Sequence, residues 1–135
     1  MNAKFYNSQI GETNPTSVRQ AQSSRLQPLE MAFIALDEIT GQMLGLVRLR
    51  DELDEETAEF AILVRSRLKG HGLGWLLMQR VIDYAKEKRL RRVYGDVLAE
   101  NASMLQMTEE LGFHAEDIGS GIRRVVLNLH SVGKR

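Results

Sequence analysis

Glycines 70, 72 and 74, at alternate positions in Lys69-Gly70-His71-Gly72-Leu73-Gly74, are the residues of this chain with the clearest chemical use. Three missing Cβ atoms let an anion approach the backbone. A helix starting there also points unpaired N–H groups and its positive end at that anion. A diphosphate suits such a seat, with Lys69 and His71 adding charge or a hydrogen bond. The glycines could instead shape only a tight corner, but three at alternate positions exceed what a corner needs. His71 is not read as a base or a metal ligand, because no acid or second histidine lies at ligand spacing; His114 and His130 are isolated, and no metal site is expected.

The elements that must position this turn are legible around it. The apolar run 59–64 enters it as a strand. A helix leaves it, with Leu73, Leu76, Leu77, Val81, Tyr84 and Ala85 on one face and Gln79, Arg80, Asp83, Lys86 and Glu87 on the other. Residues 92–97 read as a further strand, so 59–97 form a β-loop-α-β unit with parallel strands. Upstream, 31–37, a Thr40-Gly41 turn, 43–50 and 57–64 read as an antiparallel meander. The acidic segment 51–56 reads as a solvated loop, with attraction of a basic protein as the functional alternative. Downstream, a second helix runs from an Asn101 cap through Leu111, Gly112 ends it in the left-handed region, and 123–129 closes as a last strand. Trp75 and the methionines read as packing. Residues 1–28, rich in Asn, Gln, Ser and Thr, form either a poorly ordered polar arm or a single added strand around Lys4-Phe5-Tyr6. One folded domain is expected over 29–135.

Three kinds of nucleotide site could use such a unit. No G-x-x-x-x-G-K-[ST] run exists for a P-loop. A G-x-G-x-x-G fingerprint finds Trp75 at its third position. Asp96, near the end of the second strand, keeps a dinucleotide reading open, yet 135 residues cannot supply two mononucleotide-binding halves. The remaining option is a pyrophosphate held by a short G-x-G turn alone, as with coenzyme A.

The run K-G-H-G-L-G resembles the [Q/R]-x-x-G-x-[G/A] acyl-CoA signature of the GNAT N-acetyltransferase superfamily, with Lys69 where Gln or Arg is usual. Ala58-Glu59-Phe60 before it and Asn101 through Gly112-Phe113 after it fit the same pattern. Residues 57–115 are similar to the acetyltransferase domain of bacterial Pat-type protein lysine acetyltransferases, and the likeness spans about 29–129. It implies a mixed, mostly antiparallel sheet of the α+β kind with one parallel β-α-β unit and two main helices. The strand and two helices that open such enzymes find no amphipathic counterpart in 1–28, which suggests an abbreviated member.

The resemblance also implies an activity: direct transfer of the acetyl group of acetyl-CoA to a primary amine, with a protein lysine as the expected acceptor and a small amine as the alternative. A non-catalytic acyl-CoA-binding module is a third reading. Glu59 takes the place of the general-base glutamate, against the plainer reading of a solvated strand residue. Ile62, Leu63 and Val64 would hydrogen-bond the pantetheine arm, an N–H near Val64 would polarise the thioester carbonyl, and the turn 69–74 would hold the diphosphate. Asn101 is a helix cap with a secondary role against the arm. Thr108 stands where many relatives carry a tyrosine acid, so the thiolate must leave without one.

Composition narrows the partners. Eighteen basic and eighteen acidic residues give zero net charge, which removes the main electrostatic argument for nucleic acid. No apolar run approaches membrane-spanning length, no signal peptide is read, and a cytoplasmic location is expected. With no cysteine there is no disulfide and no covalent thioester intermediate on the enzyme. Uncovered sheet surface left by the short N-terminus suggests a homodimer.

Overall fold

A computed structural model describes residues 3–10, 30–54, 56–65 and 72–129. Strand β1 (Ala3–Ile10) pairs antiparallel with β2 (Glu30–Asp37) along its whole length. Of the two readings of the N-terminus, the added strand is present. The helices sought between β1 and β2 would fall outside the described residues, as do Lys69, Gly70 and His71. A hairpin closed by Gly41 at φ 76° joins β2 to β3 (Met43–Asp51), and β3 pairs antiparallel with β4 (Thr57–Val64).

Helix α1 (Leu73–Glu87) buries Leu73, Leu77, Met78, Val81, Ile82 and Ala85 against the sheet. Its fit is close: a Cβ on Gly45 of β3 would stand 3.0 Å from a Leu77 methyl and 3.2 Å from one of Leu73. Strand β5 (Arg92–Leu98) then lies parallel to β4. After helix α2 (Ala102–Glu110) come β6 (His114–Asp117) and β7 (Ile122–Asn128), and the sheet order among the described residues is β1-β2-β3-β4-β5-β7-β6. Every pairing is antiparallel except β4 with β5, so the fold is the mixed α/β arrangement expected. Strand β6 was not expected. Its four residues are all exposed, so no alternation of apolar and polar side chains marks it.

The core sits on the helix side of the sheet. Phe33, Val47 and Leu49 pack there with Phe60, Val93 and Val125 under α1, and Phe33 meets Tyr84 of α1 edge to face at 5.8 Å. No helix among the described residues is long and apolar enough to cross a membrane.

Candidate active site

The β4–β5 ladder holds only three residue pairs, Thr57–Arg92, Ala58–Val93 and Glu59–Tyr94, and the two strands part beyond them. Phe60 is the first residue past the fork. Its ring lies over β5, 2.5 Å from where a Cβ on Gly95 would be, and it meets Phe113 edge to face at 5.7 Å. A buried ring therefore occupies the helix side of the opening fork.

Beyond Phe60 the backbone of β4 has no strand partner on its β5 side among the described residues. The Arg65 N–H donates to the Leu44 carbonyl at 3.1 Å, so Arg65 faces β3. Antiparallel alternation then turns Leu63 towards β3, and Val64 and Ile62 present their N–H and C=O groups to the open side. That places two of the three expected strand contacts at this edge. Leu63 also borders the cleft, while alternation along β4 turns its side chain, 59% exposed, to the face of the sheet opposite α1.

The cleft along this edge has a volume of about 330 Å³ and is walled by Ile62–Val64, by Gly72, Gly74 and Trp75 of the α1 entry, and by Asn101, Met104 and Met107 at the start of α2. Two helix N-termini meet there, and they differ. Asn101 caps α2 by accepting from the Met104 N–H at 3.2 Å, which confirms it as a cap and places it on the cleft wall. At α1 the capping position is Gly72, whose φ of 85° suits glycine and which has no side chain to offer. The first bond of α1 runs from the Leu76 N–H to the Gly72 carbonyl at 3.1 Å. The N–H groups of Leu73, Gly74 and Trp75 thus lack helical partners and carry the positive end of the dipole. Leu73 contributes only its backbone, since its side chain is in the core. A Cβ on Gly74 would make ordinary contact with the Met107 sulfur at 3.5 Å, so packing alone does not require that glycine. Trp75, Met104 and Met107, read from sequence as packing, line the cleft; only the structure shows them side by side.

Glu59 projects at the fork from the face of the sheet opposite α1, a face that carries no helix among the described residues. It is partly buried, set between Arg50 of β3 and Tyr94 of β5. Arg50 is engaged with Glu30 at 3.8 Å, and among the described residues no hydrogen bond or ion pair occupies the Glu59 carboxylate. A solvated strand-edge residue is not what the structure shows. Its neighbour Tyr94 donates to Glu52 Oε2 at 2.6 Å. Burial, the Glu52 bond and the nearby negative charge of Glu59 push the Tyr94 hydroxyl up to about 12, so it stays protonated. Arg124 covers the Tyr94 ring at 4.9 Å and grips Asp96 through two bonds of 2.8 and 3.2 Å. Asp96, the acid a dinucleotide site would have needed, is thereby engaged on the face opposite α1.

A broader cleft of about 580 Å³ opens on that face beside Tyr94, lined among others by Glu52, Arg92, His114, Glu116 and Arg124. The acidic loop partly serves structure here. The Asp54 carboxylate accepts from the N–H groups of Glu56 and Thr57, and these bonds hold it below the usual carboxylate range. Thr108 is buried, and its hydroxyl donates to the Leu105 carbonyl at 3.0 Å. It lines neither of the two clefts described.

The sequence model of the acetyltransferase (GNAT) family matches residues 3–113. The chain belongs to the GNAT family. The match starts in β1 instead of near residue 29, so the first strand is part of the family pattern. Over 107 residues, 78% of its length, the chain is 30% identical to Acetyltransferase PA5475 of Pseudomonas aeruginosa, and it spans 57% of that relative. Among solved GNAT structures, the N-acetyltransferase PseH of Campylobacter jejuni in complex with acetyl coenzyme A superposes with a TM-score of 0.67 at 17% identity, covering 94% of this chain and all of that one. The GNAT domain of S. lividans PAT gives 0.62 at 20% identity, covering 87% of this chain and 70% of that one. At such identities these two likenesses speak for the fold alone.

Proposed function

We propose that this GNAT chain is an acetyl-CoA-dependent N-acetyltransferase acting on a primary amine, with a protein lysine as acceptor. The observation that carries the reading is the fork. One strand edge runs from a glycine-entered helix N-terminus to the Glu59 carboxylate at the point where the strands part, and among the described residues neither has a side-chain partner. The cleft suits CoA chemically: N–H groups at Leu73, Gly74 and Trp75 that lack helical partners for the diphosphate, apolar walls for the arm, and strand N–H and C=O groups at Ile62 and Val64 for its amides. The acetyl-CoA complex of PseH, which shares the fold, supports the same assignment.

Acetyl-CoA supplies an activated acyl carbon on a thioester. This chain's residues hold it and manage the proton. An acceptor amine with a pKa of about 10.4 is neutral in only about one molecule in a few thousand at pH 7, a handicap of roughly 4.6 kcal/mol. Glu59 relieves it by taking the ammonium proton through water, and the amine then forms its C–N bond as the C–S bond breaks. Backbone N–H groups of that β4 edge stabilise the negative charge developing on the carbonyl oxygen. Thr108 is committed to Leu105, so the thiolate leaves without a protein acid and takes up, through water, the second proton that the nitrogen sheds as the amide forms.

Protein lysine is favoured over a small amine by the similarity of residues 57–115 to Pat-type domains, and by the broad, charged cleft on the acceptor side, which does not wall in a small ligand. Acetyl-CoA is an intracellular metabolite, which supports a cytoplasmic location. Incubation with acetyl-CoA and a panel of lysine proteins, lysine peptides and small amines, read by mass spectrometry, should show a 42-Da addition on lysine. Acetylation confined to small amines would replace the lysine assignment; none on any acceptor, with CoA bound, would make this a binding module.

A further inference from the structure

Trp75 is the single tryptophan of the chain. It sits in the first turn of α1 between Leu73 and Leu77, both buried, yet it is 37% exposed and lines the cleft beside β4. Among the described residues nothing accepts a hydrogen bond from its indole N–H. A half-open indole is a large apolar surface with one donor at its edge, suited to a ligand that is apolar along its body and studded with acceptors. The rest of the wall has the same mixture, Ile62, Val64, Met104 and Met107 being apolar and Asn101 and Ser103 polar.

Position narrows the assignment. Trp75 follows Gly72 by three residues, about 4.5 Å along the helix axis. It therefore meets the part of a ligand just beyond a diphosphate seated on the turn. In CoA that part is the pantoyl group, a carbon bearing two methyls beside a hydroxyl and an amide carbonyl. We propose that Trp75 packs its indole on the pantoyl segment of CoA and donates its N–H to an oxygen of that segment, setting affinity for the cosubstrate without touching the reacting atoms. The inference rests on the reading of the Gly72 turn as the diphosphate seat.

Because Trp75 is the sole tryptophan, its emission reports this contact alone. CoA should move that emission to shorter wavelength in step with calorimetric saturation. Pantetheine 4′-phosphate should do the same at higher concentration, and adenosine 3′,5′-bisphosphate should not. Trp75→Ala should raise KM for acetyl-CoA about tenfold with kcat unchanged, and Trp75→Phe should recover most of the loss. Emission unmoved when calorimetry shows the site filled with CoA, the full shift with the bisphosphate alone, or a fall in kcat instead of a rise in KM would each overturn the contact and leave the diphosphate seat standing. A wild-type chain that binds no CoA by calorimetry would overturn the seat and the contact together.

Discussion

Tyr94 shows how much of this site depends on one side chain that sequence gave no reason to single out. Its hydroxyl is held by Glu52, its ring lies under Arg124, and it stands beside Glu59 at the fork. The hydroxyl ionises at about 12 in the folded chain, against about 10 when unfolded. The folded state thus retains the proton more tightly, and the stabilisation is complete below pH 10 and lost as pH rises through 12. Thermal melts at pH 9 and pH 11 should show a larger drop for wild type than for Tyr94→Phe, and parallel drops in the two would reject the coupling. Glu59 was legible only because the residues around it resemble the GNAT pattern; by itself it reads as a solvated strand glutamate. Tyr94 was hidden because an aromatic in a strand reads as ordinary packing.

At the scale of elements, the fork is a packing device as well as the proposed binding site. Phe60 fills the helix side where β4 and β5 separate, and Gly95 leaves room for its ring. An added Cβ would stand 2.5 Å from the Phe60 ring, which is fixed between Gly95 and Phe113, so neither neighbour yields easily. Gly95→Ala should therefore cost about 1–3 kcal/mol in urea unfolding, in the range of core overpacking. A variant as stable as wild type would mean that the ring can shift and that the fork is set elsewhere. The helices, β2 to β5 and β7 could be read from periodicity because each buries one face. The exposed β6 could not, and neither could the early end of the β4–β5 ladder, which depends on a contact between residues 35 positions apart in sequence.

For the whole molecule, the fold removes half of the reason to expect self-association. Strand β1 pairs the edge of β2 along eight residues, so that edge is not left open. The other half remains: the face opposite α1 carries no helix among the described residues and shows Tyr6 at 48% and Leu63 at 59% exposure, with Ile34 and Leu46 half-buried between them. A second copy covering that face would give about twice 15.3 kDa in light scattering at micromolar concentration, and a monodisperse species of 15.3 kDa would reject the dimer. The overall architecture was largely legible, because the strand–turn–helix–strand run at its centre is continuous in sequence. The pairing of the acyl cleft with a carboxylate on the opposite face was not, because it arises from strands that part in space.

That pairing is the central claim, and the chain's lack of cysteine makes it directly measurable, since thiol released from acetyl-CoA is seen without background from the protein. With an acceptor identified by mass spectrometry, wild type should release thiol in proportion to acceptor acetylated. Glu59→Gln should bind CoA with unchanged affinity by calorimetry and release thiol about 10²-fold more slowly, the range expected for loss of a general base. Thiol release at the wild-type rate by Glu59→Gln, on the same acceptor and with the same CoA affinity, would contradict the account.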